Sequence, residues 1–87
     1  MRFYRINLYG RVHGVGFRYA VLNAAKAHGL LGTVRNTRDS VEIMVDDKDF
    51  LEKIDIPSFA RIDEKTIEEI DLPEGRYTDF RIIDSTY

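Results

Sequence analysis

The chain has 87 residues, of which 44% are hydrophobic and 32% charged, with a formal net charge of −2; it is expected to form a single domain, residues 1–87, near the small end of what one core stabilises. The absence of cysteine excludes disulfides and thiolate metal sites. There is no apolar run of transmembrane length and nothing like a signal peptide, so a soluble cytoplasmic protein is expected. Charge is unevenly spread, with seven Lys/Arg against two acids in residues 1–45 and six against thirteen in 46–87. The basic half would attract a small anion, and the acidic half argues against a nucleic-acid face.

Residues 3–9 alternate, with Tyr4, Ile6 and Leu8 on one side, which predicts a strand with one buried face. A glycine-rich loop, 10–17, follows. Residues 18–28 predict a helix whose apolar stripe is Phe17, Ala20, Val21 and Ala24. Gly29 suits the position after the helix end, and Leu30 supplies the apolar contact that accompanies such a cap. Leu31 to Asn36 predicts a second strand, Thr37-Arg38-Asp39 a turn, and Val41, Ile43 and Val45 a third strand. Asp46 or Asp47 is placed to cap a short helix carrying Phe50, Leu51 and Ile54, which Pro57 bars from continuing. Residues 59–71 fit helical spacing through Phe59, Ile62, Thr66, Ile67 and Ile70. Pro73-Glu74-Gly75 is a turn, and Phe80 and Ile82 share one face of a last short strand.

The loop Gly10-Arg11-Val12-His13-Gly14-Val15-Gly16-Phe17-Arg18 carries the chemistry. Its three glycines permit tight turns and positive φ, so several N–H groups can converge on an anion. The helix behind aims its positive end the same way. Arg18 opposes the helix dipole, and its planar fork suits a phosphate or carboxylate. The dinucleotide fingerprint is excluded, because Tyr19 stands where its third glycine belongs. The nucleotide P-loop is excluded too, since no Gly-Lys-Ser/Thr is present. The alternative is a strand-to-helix turn whose glycines serve geometry only. Asn36 has two readings: an amide that orients a water without titrating, or a residue closing the hairpin turn.

These nine residues resemble the signature of the acylphosphatase family, normally G-x-V-Q-G-V-x-F-R. A second family motif is similar to Gly32-Thr33-Val34-Arg35-Asn36-Thr37, followed by Asp39 and the strand Ser40-Val41-Glu42. The resemblance implies a strand near 64–71. It implies an α+β, ferredoxin-like βαββαβ sandwich: an antiparallel sheet with two helices on one face. It implies hydrolysis of acyl phosphates to carboxylate and inorganic phosphate without a cofactor or metal. Arg18 and Asn36 match the family's catalytic arginine and asparagine. His13, Gly14, Val15, Gly16, Phe17 and Arg18 form the substrate-binding loop, and Thr37 matches a threonine that helps hold it. No strong general base is visible, and the resemblance implies that the substrate's own phosphate takes the water's proton.

The expected partners are an acyl phosphate and inorganic phosphate, as product and competitive inhibitor, with no nucleic acid or membrane, and a monomer is expected. The alternative reading is a non-catalytic phosphate-binding module on the same fold. Four departures stand out: His13 for glutamine, Thr33 for an aromatic, no glycine after Asp39, and Lys65 where a buried aliphatic is common.

Overall fold

The alternating first strand is the spine of the molecule. The computed structural model describes residues 1–14 and 16–84, and in it β1 spans Arg2–Arg11. β1 is flanked by β3 (Ser40–Val45) and β4 (Arg61–Asp71), both antiparallel to it. β2 (Gly32–Asn36) pairs antiparallel with β3, and β5 (Phe80–Ile82) adds parallel to β2, giving the order β4-β1-β3-β2-β5. One α-helix among the described residues, α1 (Phe17–Ala27), packs on the sheet.

The core follows from the two periodicities. Ile6 and Leu8 of β1, Val34 of β2, and Val41, Ile43 and Val45 of β3 meet Phe17, Val21 and Ala25 of α1, with Phe50 and Phe80 closing one side. Ala20 and Ala24 lie partly buried beside them, so the anticipated stripe is present but centred on Val21. The helix ends as its sequence foretells. Gly29 has φ 65, its N–H donates to the Lys26 carbonyl, and the Leu30 N–H reaches back to the Ala25 carbonyl at 2.9 Å.

The α+β, ferredoxin-like class is that expected from the sequence, and residues 61–71 are strand, not helix. Two details differ from expectation. The sheet is mixed: β4 ends far from the glycine loop, so the connector 72–79 delivers β5 running in the same sense as β2. That connector crosses the other sheet face, where Tyr77 packs tilted against Phe3 with ring centroids 5.2 Å apart and planes 57° to one another.

The second helix is reduced to one 3₁₀ turn, Phe50–Lys53. Too few residues separate Asp49 from Pro57 for helix to propagate, and Ile54 is already extended, with ψ 130. The residue before this turn is Asp49, and no side chain caps it, so the expected cap by Asp46 or Asp47 does not form. Asp47 instead accepts the Asp49 N–H in the bend ahead of the turn and pairs with Lys53, whose hydrogen bond holds the Asp47 carboxyl below its ordinary value of 3.8 despite partial burial. Asp46 caps no helix; it accepts the Leu31 N–H at 2.9 Å.

The shortened helix leaves the α1-side face of β4 uncovered. Ile6 pairs with Ile67 and Leu8 with Lys65, so both side chains face where a second helix would lie. Ile67 is 47% exposed and Lys65 is exposed as well. The lysine that stands for the family's usual aliphatic thus has water around it, and this departure and the short helix are one change.

Candidate active site

The pairing register brings four chain segments to one end of the sheet. Arg11 at the end of β1 faces Arg61 at the start of β4, Tyr9 faces Ser40 at the start of β3, and Val41 faces Asn36 at the end of β2. The loop 12–16 leaves β1 at this end, and α1 begins there. A bulge in β4 lies opposite the step from Tyr9 to Gly10, since Tyr9 pairs with Glu64 and Gly10 with Ile62. Gly10 is required for it: its φ is 126, and an added Cβ would lie 2.3 Å from the Arg61 carbonyl oxygen.

The loop is pinned at both ends by the core. Val12 is 1% and Phe17 0% exposed, and burial of each side chain contributes ~1.5–3 kcal/mol. Between them His13 and Gly14 are exposed, and Val15 lies outside the described residues. Gly16 takes the left-handed conformation, φ 98, as the residue before the helix. Its carbonyl accepts the Ala20 N–H at 2.9 Å, while the Phe17 N–H makes only a long, 3.5 Å contact with the Gly14 carbonyl. No side chain caps α1, and its first turn holds no acid. The positive end of the helix therefore has no counter-charge of its own.

Arg18 sits in that first turn, half-buried. Among the described residues it has no acidic partner, a property it shares with Arg11, Arg38 and Arg76, whereas Arg2, Arg5, Arg35, Arg61 and Arg81 each pair with an Asp or Glu. Arg18 alone of those four without an acidic partner lies on α1.

Asn36 shares the register face of Val34, Val41 and Ile43, so it lies on the α1 side of the sheet, at the end where α1 begins. It is 9% exposed, and its amide oxygen is buried without a hydrogen-bond partner among the described residues. The turn beside it closes through other groups. The Thr37 N–H donates to the Ser40 carbonyl at 2.8 Å, and the Ser40 N–H to Thr37 Oγ1 at 3.0 Å. The Thr37 and Ser40 hydroxyls lie 2.7 Å apart, and Ser40 Oγ donates to Asn7 Oδ1 at 2.9 Å. Thr37, expected either to hold the loop or to serve an ordinary turn, is the turn's closing hydroxyl.

His13 joins the loop to this hairpin. Its Nε2 lies 2.7 Å from the Ser40 carbonyl oxygen, which can only accept, so Nε2 carries the proton. Sequence reasoning missed Ser40 and Asn7; a serine that ends a turn and opens an alternating strand was the available signal for the first. No group of three or more His, Asp or Glu among the described residues is placed to hold a metal ion.

The architecture is that of a ferredoxin-like α+β protein with its candidate site at one end of the sheet, between a glycine loop and a hairpin. A family model described as Acylphosphatase matches residues 4–82. An acylphosphatase of Bacillus pumilus (strain SAFR-032) is 40% identical over 87 residues, covering 91% of this chain and 94% of the relative. The crystal structure of acylphosphatase from Bacillus subtilis superposes with a TM-score of 0.83 at 33% identity, covering 95% of this chain and 99% of that one. Full-length HypF in its phosphate- and nucleotide-bound form also gives a TM-score of 0.83, at 34% identity, over 98% of this chain but 12% of HypF. The chain belongs to the acylphosphatase family, and hydrolysis of acyl phosphates is the general activity that this membership supports.

Proposed function

We propose that this chain hydrolyses the carboxyl–phosphate bond with the phosphoryl group held between the loop 13–18 and Arg18, and with the attacking water held by Asn36. Three features support the reading: an uncapped helix start, an arginine without an acidic partner, and a buried amide oxygen without a donor, all at one end of the sheet. The last carries it. An unsatisfied buried acceptor costs ~1–3 kcal/mol, and a water donating to Asn36 Oδ1 would remove that cost while leaving a lone pair free to attack phosphorus.

In the proposed step, the water oxygen bonds to phosphorus as the bond to the acyl oxygen breaks. The acyl group leaves as a carboxylate, a weak enough base to depart without a proton. The water's proton goes to a phosphoryl oxygen of the substrate, so no side-chain base is required. Loop N–H groups and the Arg18 fork stabilise the charge on the equatorial oxygens, which is mostly positioning and electrostatics. Inorganic phosphate, as product, competes for the same cradle. The test is turnover of benzoyl phosphate with and without added phosphate. Hydrolysis with a raised KM and unchanged kcat supports the reading; phosphate binding without turnover would replace it with the non-catalytic module.

A further inference from the structure

The segment that replaces the second helix brings an aromatic ring to the loop. The Ala60 N–H donates to the Pro57 carbonyl at 2.9 Å, closing a turn with Ser58 and Phe59 at its centre. This turn lies just before Arg61, the residue paired with Arg11, and so beside the point where the glycine loop leaves β1. The ring of Phe59 rests on Gly14: a Cβ added there would stand 3.1 Å from Phe59 Cε2 and 3.6 Å from Cζ. The ring is nevertheless 39% exposed and outside the core cluster. A large apolar group is thus held at the edge of a polar anion site with part of its surface left to solvent.

Its side of the site follows from the sheet order. The loop comes off β1; Asn36 is on β2, beyond β3, while Phe59 leads into β4 on the other flank. In-line displacement puts the leaving group opposite the attacking water. With the water on the Asn36 side, the acyl group departs toward Phe59. Farther along the same flank, a depression of about 400 Å³ is lined by Leu51, Ile56 and Ile62 and by the charged Asp63, Glu64 and Lys65, so apolar surface continues there in part.

We infer that Phe59 is a substrate-binding residue that contacts the acyl group, and that it selects acyl phosphates with an aromatic or flat apolar acyl group over those with a small one. This rests on the hydrolytic reading and on Asn36 as the water's holder. Gly14 has the space for the ring, and the turn at 57–60 fixes the ring's place. Ring contacts of this kind give roughly three- to tenfold discrimination.

The experiment measures kcat/KM of wild type and Phe59→Ala on benzoyl phosphate and acetyl phosphate, with the inhibition constant of inorganic phosphate for each protein. The expected result is a three- to tenfold fall in the benzoyl-to-acetyl ratio, with phosphate inhibition within about twofold of wild type. An equal fall on both substrates together with weakened phosphate inhibition would overturn the inference, because Phe59 would then only hold the loop. An unchanged ratio also overturns it. Phe59→Leu keeps apolar bulk without the flat face; should Phe59→Ala fail to fold, a reduced ratio in the leucine variant supports the inference and a wild-type ratio rejects it. Wild-type protein that hydrolyses neither substrate defeats the hydrolytic reading itself, an outcome distinct from all of these.

Discussion

Replacing Asn36 by alanine separates the two jobs an asparagine at a strand end can do. Its amide oxygen is buried and has no hydrogen-bond partner among the described residues, so its removal relieves up to ~1–3 kcal/mol of unsatisfied polar burial. Truncating a 9% exposed side chain leaves a small void that offsets part of this gain. The turn does not depend on the amide oxygen, being closed by Thr37 and Ser40. Stability of Asn36→Ala should therefore lie within about 1 kcal/mol of wild type or somewhat above it. Loss of a group that acts only on the reacting water should lower kcat by about 10²–10³-fold, or ~3–4 kcal/mol of barrier, while phosphate inhibition stays nearly unchanged. Urea unfolding and steady-state hydrolysis of benzoyl phosphate, with phosphate as inhibitor, measure all three quantities. A well-folded variant with close to the original kcat would refute the reasoning, and a stability loss of about 2 kcal/mol with normal turnover would assign Asn36 to the turn.

Arg18→Ala should lose phosphate affinity and kcat together, and Arg18→Lys should restore little of either, since an ammonium cannot reproduce the fork; inhibition constants beside kcat check this. Activity should survive exhaustive chelation with EDTA, because in the proposed mechanism the helix end and Arg18 supply the positive charge for the transition state; loss of turnover that a divalent ion restores would contradict the mechanism. Asp47, held below its ordinary value of 3.8 by Lys53, contributes stability that is complete above that value and is lost as pH falls through the lowered one. Asp47→Asn should thus be modestly less stable at neutral pH and equal to wild type in strong acid, as measured by denaturant midpoints across pH.

How much was legible in the sequence depended on whether a feature is local. The bulge and loop glycines, the Gly29–Leu30 helix end and the alternation of β1 are each dictated by backbone sterics or a short period, so residue types alone reveal them. Residues 59–71 also fit a helical spacing, because Ile62, Ile67 and Ile70 satisfy more than one period; only pairing with β1 decides the matter. The second helix was overread, since Phe50, Leu51 and Ile54 carry a helical stripe in a segment too short to sustain it. The contacts that assemble the site, His13 with Ser40, Ser40 with Asn7 and Phe59 with Gly14, join residues from different strands or from loops at their ends. Each requires the strand register, which no local pattern contains.

His13 shows how a departure from a motif can conserve its mechanical role. The usual glutamine carries an amide N–H₂, and the histidine carries Nε2–H; either can donate to the Ser40 carbonyl, so the loop stays tied to the Asn36 hairpin. The 2.7 Å contact ties the loop after β1 to the start of β3, so the glycine loop and the hairpin that carries Asn36 keep a fixed spacing across two strands that are not adjacent in sequence.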